Sequence, residues 1–487
     1  MNKPVRHISV FVGVLVLALL VQATWVQFVR GDELAEHKQN KRVRIASFAQ
    51  PRGNIIVGGQ PITGASETSG DYKYKRTFKD AEMYAPVTGY SSQIYGNSQL
   101  EFVNDKLLSG TDDRLFLQRT TDMLTGKKPR GGDVVTTINP KAQKAAFEGL
   151  GKYKGAVVAL DPRTGKVLAL ASTPSYDPSV FAGNTYKDQK AWDALAADKN
   201  KPTLNRALKE RYPPGSTFKI LTAAAALEHG IVSDIDAKGS APVPYKLPLS
   251  TTTVRNDVQT QECVNGSLKA GLQWSCNNVF LDLADKLGTD KMRETAEKFG
   301  FNEKKLDIPV RAGESLYPKK LDRPQTALTG MGQGSLASTP LQIAMMTAGL
   351  ANDGKVMKPY MVEELRGPDL GTLEKHKPEL MSQAVSADTA RKVQTMMENT
   401  AEKGTGKAAL IDGVTVGAKT GTAQHGVNNE KLPYAWFVSY AKQGDGSPVA
   451  VAVFIDPEGS DIDREDISGG KLAGPIAKKV MEAALGK

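Results

Sequence analysis

The stretch Arg211-Tyr212-Pro213-Pro214-Gly215-Ser216-Thr217-Phe218-Lys219 runs directly into the apolar, alanine-rich segment Ile220–Glu228. Pro213, Pro214 and Gly215 are turn formers, and everything after Ser216 has good helix propensity. A tight turn therefore delivers Ser216 to the first turn of a helix expected over 216–229. Lys219, three positions on, shares its face. An amine placed there can take the serine proton, and the positive end of the helix dipole favours a developing alkoxide. The competing reading is a serine N-cap followed by a solvated lysine.

Two other stretches carry groups that could complete such a site. Trp274-Ser275-Cys276-Asn277-Asn278 places a hydroxyl and an amide two residues apart, suited to passing a proton and holding a substrate amide. Its alternative is a helix N-cap at Ser275 or Asn277. Val416-Gly417-Ala418-Lys419-Thr420-Gly421-Thr422-Ala423 offers a cation, two hydroxyls and a glycine that admits close backbone approach. That set fits a carboxylate together with an oxyanion donor, the alternative being an edge strand whose lysine discourages aggregation.

Around these stretches the pattern is that of an α/β sandwich. Gly131-Gly132-Asp133 marks a boundary, followed by a strand at 134–138 and a helix from 141 to about 150. Gly155–Leu160 and Lys166–Ala171 flank the turn Asp161-Pro162-Arg163-Thr164-Gly165, a hairpin apolar on both faces. A helical block follows (216–229, 277–287, 291–299, 340–351, 386–401). Three strands come next (414–418, 435–440, 449–455), then a helix at about 474–485. The sheet is thus expected to assemble from chain-distant pieces.

At 487 residues, two or three folding units are expected: 1–30, 31–130 as a small α+β module, and 131–487. The formal charge of +10 is spread along the chain, with no basic tract interleaved with aromatics, so no nucleic-acid partner is implied. Five scattered histidines (His7, His37, His229, His376, His425) and two cysteines show no metal-ligand spacing, and no metal or cofactor is expected. Lys3 and Arg6 precede an apolar run from Ile8 to Val29, long enough to span a membrane with the N-terminus inside. A cleaved signal peptide ending at Val21-x-Ala23 is the alternative, and either way the remainder is exported. Residues 31–50 read as a polar, basic stalk. In an exported chain Cys263 and Cys276 are candidates for a disulfide, with two buried thiols as the alternative.

Ser-x-x-Lys opening a helix, Ser-x-Asn in a helical block and Lys-Thr-Gly on a strand form one ordered set. With Arg52-Gly53-Asn54-Ile55, Gly330-Met331-Gly332-Gln333-Gly334 and Ala435-Trp436-Phe437, the chain resembles a class B penicillin-binding protein of the PBPA-like actinobacterial group. This family is part of the penicillin-binding protein and serine β-lactamase superfamily. The resemblance implies a five-stranded antiparallel sheet flanked by helices, a helical subdomain, a smaller N-terminal module and one membrane helix. It implies a D,D-transpeptidase that cleaves D-alanyl-D-alanine through a Ser216 acyl-enzyme and cross-links stem peptides, with β-lactams acylating the same serine. Lys219 would be the base, its pKa lowered by Lys419, and Ser275 would relay the proton. Asn277 would bind the substrate amide, and Lys419, Thr420, Gly421 and Thr422 the carboxylate. The backbone N–H groups of Ser216 and Thr422 would form the oxyanion hole. A SEDS-type glycosyltransferase and the division or elongation machinery are implied as partners. A carboxypeptidase, and a β-lactam hydrolase or sensor, share the chemistry; Glu314 is a carboxylate a hydrolase could recruit. The segment before 131 is too small for the glycosyltransferase of a class A enzyme.

Overall fold

The computed structural model describes residues 3–36, 41–426, 429–444 and 446–487. Residues 37–40, part of the expected stalk and including His37, lie outside the described residues, as do residues 1 and 2 of the expected inner tail. The central sheet has five strands in the order Thr415–Ala423, Tyr434–Gln443, Gly446–Asp456, Lys154–Leu160 and Val167–Thr173, every neighbour antiparallel. Its first three strands thus come from near the chain end, and the hairpin comes from nearly three hundred residues earlier, as the apolar runs predict.

Alternation explains why those runs are apolar throughout. Ala156, Val158, Val438, Ala450, Ala452 and Phe454 face one layer, which contains the helices Lys219–Glu228 and Pro340–Ala351. Val157, Ala159, Phe437, Val451 and Val453 face the other, against Ala142, Ala146 and Leu150 of one helix and Ile476, Ala477 and Val480 of another. A sheet covered on both sides has no polar face to declare its register. Pro340–Ala351 is buried at every position, which is why it is apolar all round.

Three elements differ from expectation in extent. The strand expected at 414–418 runs on to Ala423, carrying Lys419-Thr420-Gly421-Thr422 within it. The Lys-Thr-Gly motif is thus on a strand, as its reading has it; the apolar run alone stops at Ala418 because the polar residues beyond it lie on the sheet's edge strand and face a cleft. The helix expected from Ser216 begins as a 3-10 turn, Gly215–Phe218, before the α-helix Lys219–Glu228. Asn277–Lys298 is a single run broken at Gly288, where φ is 74°, in agreement with two expected helices.

A second sheet crosses the boundary drawn at residue 131. Ile55–Val57 pairs in parallel with Asp133–Thr136, which pairs antiparallel with Val362–Arg366, followed by Thr372–Lys375. Beside it lies a buried charge cluster. Glu101 receives Arg52 at 3.0 Å and Arg76 at 2.5 Å, with all three side chains at most 2% exposed. Arg52 also reaches Asp105 at 2.8 Å. One carboxylate thus holds two buried guanidinium groups together. Glu101→Ala leaves those cations facing each other without their counter-ion, and is expected to destabilise the protein by about 3–5 kcal/mol. Chemical denaturation of the two proteins measures it; a variant as stable as the parent would show that Asp105 alone suffices.

Candidate active site

The nucleophile turn is fastened to the sheet from several directions. Trp436 Nε1 donates to the Pro213 carbonyl at 3.1 Å, and the Tyr212 ring stacks on Phe454 at 3.8 Å. Tyr212 and Ser338 exchange backbone hydrogen bonds, both 2.9 Å. Gly215 has φ 53°, and a Cβ there would lie 2.8 Å from the Thr422 carbonyl oxygen. At Gly421 a Cβ would fall 2.8 Å from Thr217 Cγ2 and 3.0 Å from Trp436 Cβ. Both glycines therefore serve one purpose: they let the turn bearing Ser216 press against the edge strand. Gly421 lies behind the wall of the cleft, whereas Thr420 and Thr422, half-buried, face into it.

Ser216, Lys219, Ser275, Asn277 and Lys419 converge. Lys219 is completely buried, and its Nζ donates to Ser275 O at 2.7 Å, Asn277 Oδ1 at 2.6 Å and Ser275 Oγ at 3.2 Å. Lys419, also buried, donates to Ser275 Oγ at 2.9 Å and to Thr420 O at 2.8 Å. The Ser275 hydroxyl thus stands between two amines, able to accept from one while donating to the lone pair of the other. Lys219 makes these hydrogen bonds rather than one to Ser216 Oγ, and Ser216 lines the same cleft as Ser275 and Asn277. Lys419 is wholly buried and meets the cleft through its hydrogen bond to Ser275 Oγ, which lines it.

Ser275 adopts φ 60°, a left-handed conformation costly for a residue with a Cβ, and this turns both its carbonyl and its hydroxyl to Lys219. The next residue, Cys276, is bonded to Cys263, with Cα atoms 5.6 Å apart. The disulfide ties the loop bearing Asn256 and Asp257 to the start of the 277–298 helix, and so braces the strained serine. Asn277 Nδ2 gives one hydrogen to Arg255 O at 2.9 Å, leaving its second for a ligand.

Burial brings the Lys219 amine down to about 7, with the Asp257 carboxylate pulling the other way. Desolvation is the largest cause, and the expected repulsion between the two amines is seen at Lys419. Lys419 is held well below the usual lysine range by the same burial, reinforced by the Lys219 charge. A lysine near 7 is available as a neutral base, so acylation of Ser216 should rise with pH through about 7 and level off above it. Asp257→Asn removes the attraction that favours the ammonium form. The midpoint of the rate–pH curve should therefore move to lower pH, and the rate at pH 6 should rise relative to its plateau. Penicillin acylation rates measured from pH 5 to 9 decide it; an unmoved or raised midpoint contradicts the assignment.

Ser216 sits where two arms of a cleft meet, with Asp257, Thr422 and Gln424 common to both. One arm, of about 720 Å³, passes Ser275, Thr405, Thr420 and Arg464. The other, of about 470 Å³, passes Arg255, Asn277, Met331 and Gly334. Thr405 Oγ1 lies 2.9 Å from Thr420 Oγ1 and orients it. Arg464 donates to Gln424 Oε1 at 2.9 Å and to the Asn429 and Lys431 carbonyls, pinning the rim. Asp257, Thr405, Gln424 and Arg464 had no signature in the sequence, since each is a lone polar residue in a loop or strand end. Glu314 lines neither arm. Among the described residues no group of three or more His, Cys, Asp or Glu is placed to hold a metal ion.

A buried lysine hydrogen-bonded to a second serine, beside Ser216 at a sheet edge, is the group set of a serine acyl-transfer enzyme. Comparison with known proteins makes the class specific. The penicillin binding protein transpeptidase domain matches residues 155–482, and the penicillin binding protein A dimerisation domain matches 52–134. The peptidoglycan D,D-transpeptidase PbpA of Mycolicibacterium smegmatis is 40% identical over 100% of this chain and 99% of its own. That of Mycobacterium tuberculosis is 39% identical over the same shares. The ceftriaxone acyl-enzyme complex of M. tuberculosis penicillin-binding protein A superposes with a TM-score of 0.84 at 38% identity, covering 91% of this chain and 100% of that one. Its penicillin G acyl-enzyme complex gives 0.82 at 38% identity, covering 90% and 100%. The chain belongs to the PBPA-like class B penicillin-binding proteins.

Proposed function

We propose that this protein is a peptidoglycan D,D-transpeptidase acylated at Ser216 by stem peptides and by β-lactams. The observation that carries the reading is the Lys219–Ser275–Lys419 chain of contacts next to Ser216. Neutral Lys219 takes the Ser216 proton as Oγ attacks the carbonyl of the penultimate D-alanine. The N–H groups of Ser216 and Thr422 receive the oxyanion. As the C–N bond breaks, the leaving D-alanine amine takes a proton from Ser275, which is reprotonated by Lys219. The terminal carboxylate rests on Thr420 and Thr422, and Asn277 holds the stem-peptide amide. Lys419 orients Ser275 and keeps its proton directed toward Lys219. The amine of a second stem peptide then attacks the ester carbonyl, its proton returns along the same relay, and Ser216 is released.

The helix Lys3–Phe28 is long and apolar enough to cross a membrane, and it continues unbroken past Ala23, which supports an uncleaved anchor. With Lys3 and Arg6 inside, the catalytic part lies outside the membrane. Residues 1–30 then form tail and anchor, 31–130 the non-catalytic module and 131–487 the transpeptidase domain. A SEDS-type glycosyltransferase and the division or elongation machinery are the partners this arrangement suits. Incubating purified protein with a D-alanyl-D-alanine donor peptide and an amine acceptor tests the reading. Cross-linked product in excess of hydrolysed product is expected; hydrolysis alone would make the enzyme a carboxypeptidase, and rapid turnover of penicillin would make it a hydrolase.

A further inference from the structure

The helix Phe116–Thr125 is built inside out. Phe116, Leu117, Met123 and Leu124 fall on one stripe of a 3.6-residue helix and are 62, 79, 78 and 85% exposed. The more covered positions are the polar ones, Gln118, Arg119 and Asp122, and Arg119 Nη1 donates to the Gly110 carbonyl at 3.1 Å. A surface helix standing in water shows the reverse arrangement. A contiguous apolar face left open in this way marks a contact surface.

Position, charge and size select what covers it. The chain arriving from the Lys3–Phe28 helix first meets the body at Arg44, which donates to Ile94 O, and at Phe48, and a few residues on Gln50 donates to Ser109 O and Pro51 O accepts from Gly131 N at 3.0 Å. The last two contacts bracket the helix in sequence, so it projects from the side of the body along which the membrane tether enters. Lys127 and Lys128, which follow it directly, are exposed and without ion pairs among the described residues. Their charge complements anionic lipid headgroups. Ten residues make a helix only ~15 Å long. One stripe of that length falls well short of the roughly 800 Å² per partner of a stable protein interface, whereas a lipid surface demands no matching shape.

We propose that the Phe116–Thr125 helix lies in the surface of the bilayer that holds the Lys3–Phe28 anchor. Phe116, Leu117, Met123 and Leu124 sit among the acyl chains, and Lys127 and Lys128 sit on anionic phosphates. The proposal rests on the membrane-anchor reading given above. A second attachment point fixes how the cleft is oriented over the membrane, which a single spanning helix on a tether does not. The family description of residues 52–134 as a dimerisation domain names the rival occupant, a second copy of the chain.

The full chain in nanodiscs of phosphatidylcholine and phosphatidylglycerol provides the test. Leu124→p-benzoylphenylalanine and, separately, Gln118→p-benzoylphenylalanine are irradiated, and their peptides are weighed. Fluorescent penicillin labelling of Ser216 confirms that each variant is folded, and Met123→p-benzoylphenylalanine repeats the measurement at a second apolar position. Lipid adducts are expected at 124 and 123 in several-fold excess over 118. Adducts joining two copies would assign the face to dimerisation and overturn the proposal, as would lipid adducts no more abundant at 124 than at 118. Flotation of the unmodified chain with vesicles separates the two readings. A chain that does not float removes the anchor and this proposal together, whereas a floating chain without lipid adducts at 124 removes this proposal alone.

Discussion

Ser216→Ala is expected to abolish covalent labelling by fluorescent penicillin and to lower cross-linking by roughly 10⁴- to 10⁶-fold, the range seen when the nucleophile of a serine acyl-transfer enzyme is removed. The fold should not change, because Ser216 sits at the head of the helix and the turn is held by Trp436, Tyr212 and the close approach of Gly215 to Thr422 instead. A melting curve matching the parent's, together with absent labelling on a denaturing gel, is the combined readout. Labelling of the alanine variant at the parent's rate would place the nucleophile elsewhere.

Lys219→Met carries the second large effect. Methionine fills nearly the same buried volume but accepts no proton, so acylation should fall by roughly 10²- to 10⁴-fold, the contribution of a positioned general base. Lys219→Arg makes the contrast: it keeps a cation in place but cannot be neutral at any ordinary pH, and should be as slow as the methionine variant. The rise of the rate through about pH 7 should disappear in both, because the group that titrates there is gone. Acylation rates across pH read all three outcomes. An arginine variant that kept the parent's rate would show that Lys219 acts by its charge, and would transfer the base to another residue. Methionine also removes a donor from Asn277 Oδ1 and Ser275 O, so some loss of stability should accompany the loss of rate.

Much of the catalytic set was legible in the sequence because it is local. Ser216 and Lys219 are one helical turn apart, and Ser275 and Asn277 flank a single residue. Lys419 to Thr422 are contiguous, so each motif is visible without knowing what it packs against. The strands of the central sheet were legible for a related reason: buried on both faces, they are written as uninterrupted apolar runs. The edge strand was legible only in two pieces, an apolar run to Ala418 and the Lys-Thr-Gly motif read as strand, because its far half serves a cleft and carries Lys419, Thr420 and Thr422 in place of apolar residues. The second sheet was only half legible. The strand expected at 134–138 is present as Asp133–Thr136, and nothing local announces that Ile55–Val57 and Val362–Arg366 pair with it.

What the amino-acid sequence determined by itself was the inventory: a nucleophile with an amine on its face, a hydroxyl and amide pair, a basic strand with a glycine, an exported chain and two cysteines available to each other. What only the tertiary structure decided was how those groups behave. Lys219 is brought down to about 7 chiefly by its burial. Ser275 Oγ meets both the Lys219 and Lys419 amines from a left-handed backbone beside the Cys263–Cys276 bridge. Asp257 enters the site from a loop with no motif, and the Phe116–Thr125 helix turns its apolar stripe outward. Proton affinity and exposure are properties of surroundings, and the surroundings of these residues are supplied by segments far from them in sequence.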